Sequence, residues 1–184
     1  MGLYILIGIL VLIILFIIIT YNSMIKSKNV VKEAFSTMDV YLKKRWDLIP
    51  NIVETVKGYA THEKNTLTEV IALRSDINEY DSLSDEEKLK TNEKITTKLG
   101  RIMMLAESYP ELKANEGFLN LQKDLGKIEE DIAMSRKYYN AVVRDYNNKI
   151  ETIPNNIVAK IFGFKSKTMF NIEANEKENV KVDL

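Results

Sequence analysis

Residues 2–19 read GLYILIGILVLIILFIII, an apolar run with no charged side chain. Beyond it the apolar positions change character and recur at spacings of three and four, the period of an amphipathic helix. Val31, Phe35, Met38 and Leu42 set a seam, widened by Ala34 and Tyr41, that predicts a helix over residues 22–45. Ile52, Val56, Ala60, Leu67, Val70 and Ile71 predict a second over 48–78. A third opens at Ser84 and Glu87, spaced as a capping box in which each side chain satisfies the other residue's free N–H. It carries Leu89, Ile95, Leu99, Ile102, Met103 and Ala106. The fourth and longest covers 115–150, with Asn115 as N-cap and Phe118, Leu121, Leu125, Ile128, Ile132, Tyr139, Val142 and Tyr146 on its seam. Only short polar or proline-bearing segments, EYDSLS and SYPELKA, separate the last three, so neighbours should run antiparallel. The expected fold is all-α: an N-terminal transmembrane helix followed by an antiparallel, up-down four-helix bundle with coiled-coil-like packing.

Pro50 interrupts this pattern. A helix-interior proline loses a hydrogen bond and clashes with the preceding turn, at a cost of about 3 kcal/mol. In a helix's first turn the missing N–H costs little. The sequence therefore favours a tight reversal at residues 45–47, with Pro50 in the first turn of the second helix, over one long kinked helix.

The apolar run makes a helix of about 27 Å, close to the hydrocarbon thickness of a bilayer. No basic n-region precedes it and IIITYNSM has no small-residue cleavage site, so it reads as an anchor rather than a signal peptide. Lys26, Lys28 and Lys32 follow it, which predicts a single-pass protein with its N-terminus outside and its domain cytoplasmic. After the fourth helix, Pro154 starts a segment in which Ile157, Ile161, Phe162, Phe164 and Phe170 interleave with Lys160, Lys165 and Lys167. It is expected to pack on the bundle end or on the membrane. Lys26, Lys28, Lys160, Phe162, Phe164 and Lys165 are its candidate membrane contacts. The organisation is thus 1–21 anchor, 22–152 bundle, 153–170 aromatic and basic segment, and 171–184 disordered tail.

Composition narrows the function. The 184 residues hold 26 basic and 26 acidic side chains, and this neutrality argues against a nucleic-acid partner. With no cysteine and one histidine, thiolate, iron–sulfur and multi-histidine metal sites are excluded. His62-Glu63 starts an H-E-x-x-H pattern, but Thr66 stands where the second histidine belongs. Tyr59 precedes His62 by three, so the Glu-x-x-His pair of a di-iron bundle is missing as well. Gly58, Gly100 and Gly117 are isolated, with no phosphate loop or nucleophile elbow around them. Neither a catalytic residue nor a cofactor is expected.

Four stretches carry a resemblance: KKRWDLIPNIVETVKGYATHE, AESYPELKANEGFLNLQ, SRKYYNAVVRDYN and IPNNIVAKIFGFK. In this order they are similar to the LemA family of small bacterial membrane-anchored proteins, over most of the chain from Asn22 to about Phe170. The resemblance implies a helical bundle on an N-terminal anchor in a bacterial cell membrane. Phe35 stands where the family more often has tryptophan, and Ser135 where it has alanine; both are packing changes.

Two sets of polar residues remain. Arg45 occupies the apolar seam, and Gln122, Glu129, Arg136, Asn140 and Asn147 form a stripe beside the fourth helix's seam. Charges buried there must pair, so Arg45, Glu63, Glu129 and Arg136 are expected to form a network that fixes helix register; the alternative is a small-ligand or catalytic pocket. In the up-down scheme the reversal and the loop near residue 110 share the domain's far end. Lys43, Lys44, Trp46, Tyr109, Pro110 and Lys113 would then form an exposed aromatic and basic patch, the chemistry of protein-binding hot spots. The sequence thus predicts a non-enzymatic adaptor or scaffold, held in the bilayer by its first helix and binding a protein partner. The alternative is a membrane-surface lipid-binding or envelope-stress sensor module.

Overall fold

A computed structural model describes residues 1–59 and 83–170. Among them the regular structure is entirely helical: α1 (Gly2–Tyr59), α2 (Asp85–Glu107), α3 (Pro110–Lys113), α4 (Glu116–Glu151) and α5 (Asn155–Ile161). The latter part of the expected second helix, His62, Glu63 and the 171–184 tail lie outside the described residues.

The expected reversal at residues 45–47 does not occur. α1 continues through Arg45, Trp46 and Pro50 to Tyr59 as one helix. The reason is the phase of its apolar seam. Leu42, Trp46, Ile49, Ile52, Val53 and Val56 are all buried and keep one helical period across the proline. Fully burying one such side chain is worth about 1.5–3 kcal/mol. Several of them together outweigh the cost of a proline in the helix interior. Tertiary burial decides here, not local propensity.

Where the other helices begin and end follows local chemistry. At α2 the Ser84 N–H donates to Glu87 Oε2 at 2.9 Å, and the Glu87 N–H points back to Ser84 Oγ at 3.4 Å. The bonds from Ser84 hold the Glu87 carboxyl below the usual carboxylate range. At α4, Asn115 Oδ1 accepts the Phe118 N–H at 2.9 Å, and a Cβ on Gly117 would come within 3.0 Å of that same oxygen. α5 ends in a Schellman turn: the Phe164 N–H donates to the Ala159 carbonyl and the Gly163 N–H to the Lys160 carbonyl. Gly163 has φ +70°, the left-handed conformation that only glycine adopts without strain.

The chain forms two compact units. One is Phe35–Ser135. Within it Asp39 pairs with Lys88 at 2.9 Å, and Arg45 bonds Asn92 at 2.6 Å, so α2 runs parallel to this part of α1. Arg45 also meets Glu129 and Tyr59 meets Asn115, so α4 runs antiparallel to it. Buried Met38, Leu42, Trp46, Ile95, Ile102 and Phe118 belong to its core.

The other unit combines Met1–Ala34 with the chain from Arg136 onward. Lys149 donates to Ser27 Oγ, and Met24, Val31, Val143, Tyr146, Val158 and Phe170 are buried. By length and composition the N-terminal part of α1 can cross a bilayer, and its side chains from Leu3 to Phe16 are exposed.

Candidate functional site: a buried charge and a clamped segment

Arg45 sits on the buried face of α1 with 0% of its surface exposed. A buried guanidinium needs partners for its donors; here both terminal nitrogens have them, and the buried Nε has none among the described residues. Nη1 donates to Glu129 Oε1 and Oε2 at 2.9 and 3.2 Å and to Thr96 Oγ1 at 3.0 Å. Nη2 donates to Asn92 Oδ1 at 2.6 Å and to the Asn92 carbonyl at 3.2 Å. Asn92 is itself buried, and its Nδ2 donates to the Lys88 carbonyl at 2.8 Å. One planar cation thus joins α1, α2 and α4.

Of the four network residues expected from sequence, Arg45 and Glu129 meet. Glu63 lies outside the described residues. Arg136 belongs to the other unit, where its guanidinium lies 4.3 Å from the centre of the Phe170 ring. Asn92 and Thr96 are members that the sequence reading missed. Their signal was present: Asn92 occupies a seam position between Leu89 and Ile95, where a polar residue needs a buried partner.

The rest of the polar stripe does different work. Asn140 Nδ2 donates to the Phe170 carbonyl at 2.9 Å, and the Phe170 N–H donates to Asn140 Oδ1 at 2.7 Å. Asn147 treats Lys167 the same way, at 2.8 Å in both directions. Tyr139 and Tyr146 donate their hydroxyls to the carbonyls of Thr168 and Lys165 at 3.2 and 3.0 Å. The spacing explains the fit. Seven helical residues advance about 10.5 Å and three extended residues advance about 10 Å, so asparagines at 140 and 147 meet backbone amides at 170 and 167. Burial pushes the Tyr146 phenol above its ordinary pKa, which keeps it a donor.

The expected docking patch is not assembled. Trp46 is 2% exposed and belongs to the core, because the helix continues where a reversal was expected. Lys43 and Lys44 lie exposed on α1, and Lys44 Nζ approaches the Tyr41 ring at 5.3 Å. Tyr109 and Pro110 gather instead beside Tyr59, which is about 20 Å along α1 from Trp46. Tyr59, Tyr109, Pro110 and Glu111 line a cleft of about 370 Å³, Tyr59 Oη accepts from Asn115 Nδ2 at 2.9 Å, and Lys113 is exposed.

Of the candidate membrane contacts, Lys26, Lys28, Lys160, Phe162 and Lys165 are exposed and Phe164 is half-buried. The rings of Phe162 and Phe164 meet Tyr21 at 4.8 and 5.7 Å between centroids. Among the described residues no three His, Asp or Glu side chains gather as a metal site would require.

The model of the LemA family matches residues 34–184. This chain belongs to the LemA family. It is 25% identical to Protein LemA of Metamycoplasma hominis over 162 residues, which are 88% of this chain and 73% of that protein. It is also 36% identical to magnetosome protein MamQ 2 of Paramagnetospirillum magneticum over 72 residues, 39% of this chain and 26% of that one. MamQ of Magnetospirillum gryphiswaldense is 33% identical over 73 residues, again spanning only 27% of its length. None of these names is that of an enzyme. LemA membership and the long apolar first helix are consistent with a membrane-associated protein.

Proposed function

We propose that this LemA-family protein is a non-enzymatic adaptor, anchored by residues 2–19, whose helical domain docks a protein partner. The carrying observation is the cleft of Tyr59, Tyr109, Pro110 and Glu111, with the exposed lysine at 113 close by in sequence. Tyrosine supplies large contact area with a polar tip, a combination enriched where proteins bind one another. The interior polar groups support the same reading, because Arg45 and Glu129 are spent on each other. The lysines at 26, 28 and 32 orient the chain with its N-terminus outside and its domain in the cytoplasm.

The test is site-specific photo-crosslinking of the full-length protein in cells, with the probe at Lys113 and a control at the exposed Gln122. A discrete adduct from Lys113 alone, lost in a Tyr109→Ala background, is the expected result. Equal adducts from both positions, or an adduct indifferent to Tyr109, would remove the cleft as the docking site.

A further inference from the structure

We propose that α5 and its flanks form a second membrane-contacting element, an apolar ridge that lies in the bilayer interface beside the emerging anchor. Its ligand is the phospholipid surface itself. Ile153, Ile157 and Ile161 are spaced by four and are 82%, 59% and 67% exposed. Ile157 and Ile161, four apart on α5, share one face, and Ile153 stands just before the helix. Phe162 is exposed at the end of the same helix. Single exposed apolar residues are ordinary, but large ones repeated on one face mark a contact surface.

The position of this ridge names its occupant. Ile18 and Ile19 are exposed, whereas Thr20 and Met24, one and five residues further on, are buried. Packing against α1 therefore begins where its uncharged run ends. Tyr21, in that same turn, receives the rings of Phe162 and Phe164. The Schellman turn at Gly163 holds Phe164 against it, and the asparagine clamp fixes the chain that follows. The isoleucine ridge is thereby tied to the level at which the anchor passes from hydrocarbon to headgroups, where tyrosine is itself enriched. Exposed Lys160 and Lys165 flank the ridge as an interfacial helix requires, with cations able to reach anionic headgroups.

The inference rests on residues 2–19 spanning the bilayer, and one control tests that separately. The chain has no cysteine, so single-cysteine variants of the full-length protein take a nitroxide label without background. Leu10→Cys, Ile157→Cys, Ile161→Cys and Gln122→Cys would be reconstituted into vesicles of neutral and anionic phospholipid. Collision rates with oxygen and with a water-soluble nickel chelate are then compared. Labels at 157 and 161 should show an oxygen-to-nickel ratio well above that at 122 and below that at 10. A ratio at 157 and 161 equal to that at 122, with a high ratio at 10, would overturn the ridge and leave the anchor intact. A low ratio at 10 would instead overturn the anchor, and the ridge with it. Low collision rates with both reagents at 157 and 161 would mean that protein, not lipid, covers the ridge, and would also overturn it.

Discussion

Two polar devices lie on α4, one in each compact unit, and they use opposite chemistry. Glu129 supplies a charge to a fully buried guanidinium. Asn140 and Asn147 supply neutral amides to an extended backbone. The difference follows from what each must hold. Arg45 is a five-donor fork with no acceptor, so its complement is an acceptor-only carboxylate. An extended residue shows its own N–H and C=O side by side on one edge, and an asparagine or glutamine amide answers both. The first device joins side chains of three helices; the second attaches a segment that has no helical seam to offer. LemA-family membership and the apolar first helix are consistent with a protein that sits at a membrane. These two devices say how its polar interior is spent.

The largest expected effect comes from breaking the charged device on one side only. Glu129→Leu leaves Arg45 buried without a carboxylate, which should cost about 3 kcal/mol. Trp46 is the only tryptophan, is buried and follows Arg45 directly. Its fluorescence therefore reports urea unfolding of the detergent-solubilised full-length protein close to the lesion. Arg45→Met combined with Glu129→Leu should recover most of the loss, since an apolar pair of similar volume often substitutes for a buried ion pair. Glu129 is 38% exposed. A loss below about 0.5 kcal/mol from Glu129→Leu would place the pair among surface salt bridges and end its role as a register pin.

The neutral device should fail more locally. Asn140→Asp and Asn147→Asp each keep the acceptor for a backbone N–H but set a carboxylate against a carbonyl. Each should raise hydrogen exchange at residues 165–170, by an amount corresponding to about 1–3 kcal/mol. The change at 140 should exceed that at 147, whose bonds are solvent-exposed. The Trp46 unfolding midpoint should stay in place. If Asn140→Asp shifted that midpoint as far as Glu129→Leu, the clamp and the charge network would not be independent.

Much of this was legible in the sequence because it depends on neighbours along the chain. The Ser84–Glu87 box and the Asn115 cap are local pairings, and both helices start where those residues place them. Arg45 was conspicuous as a charge on an apolar seam. The turn at residues 45–47 was misread because a local signal, Pro50, competed with a tertiary one, the burial of Trp46 through Val56. The local penalty can be read from one residue, but the compensation needs the partners in place. Trp46 left the docking patch for the same reason. The clamp was half legible. The dipeptide Tyr-Asn recurs at 139–140 and 146–147, seven residues apart, but its target is backbone, and backbone leaves no mark in a sequence. Ile157 and Ile161 were visible as apolar residues. Their exposure was not, because periodicity alone does not say which side of a short helix is covered.

The smallest expected effect separates the two devices by pH. Tyr146 donates to the Lys165 carbonyl, and burial raises its phenol pKa. A raised pKa means that the folded state holds the proton where the unfolded state, near its ordinary value of about 10, releases it. Stability from this group is therefore complete below the unfolded pKa and is lost as pH rises from there through the folded pKa. Raising the pH above about 10 should therefore quicken exchange at residues 165–170 before it alters the environment of Trp46. Tyr146→Phe keeps the buried ring, removes the titrating hydroxyl and lets the Lys165 carbonyl lose a donor. That variant should exchange somewhat faster than the parent at neutral pH and lose part of the alkaline acceleration. An unchanged alkaline profile would assign the loosening to another group and leave Tyr146 a packing residue only.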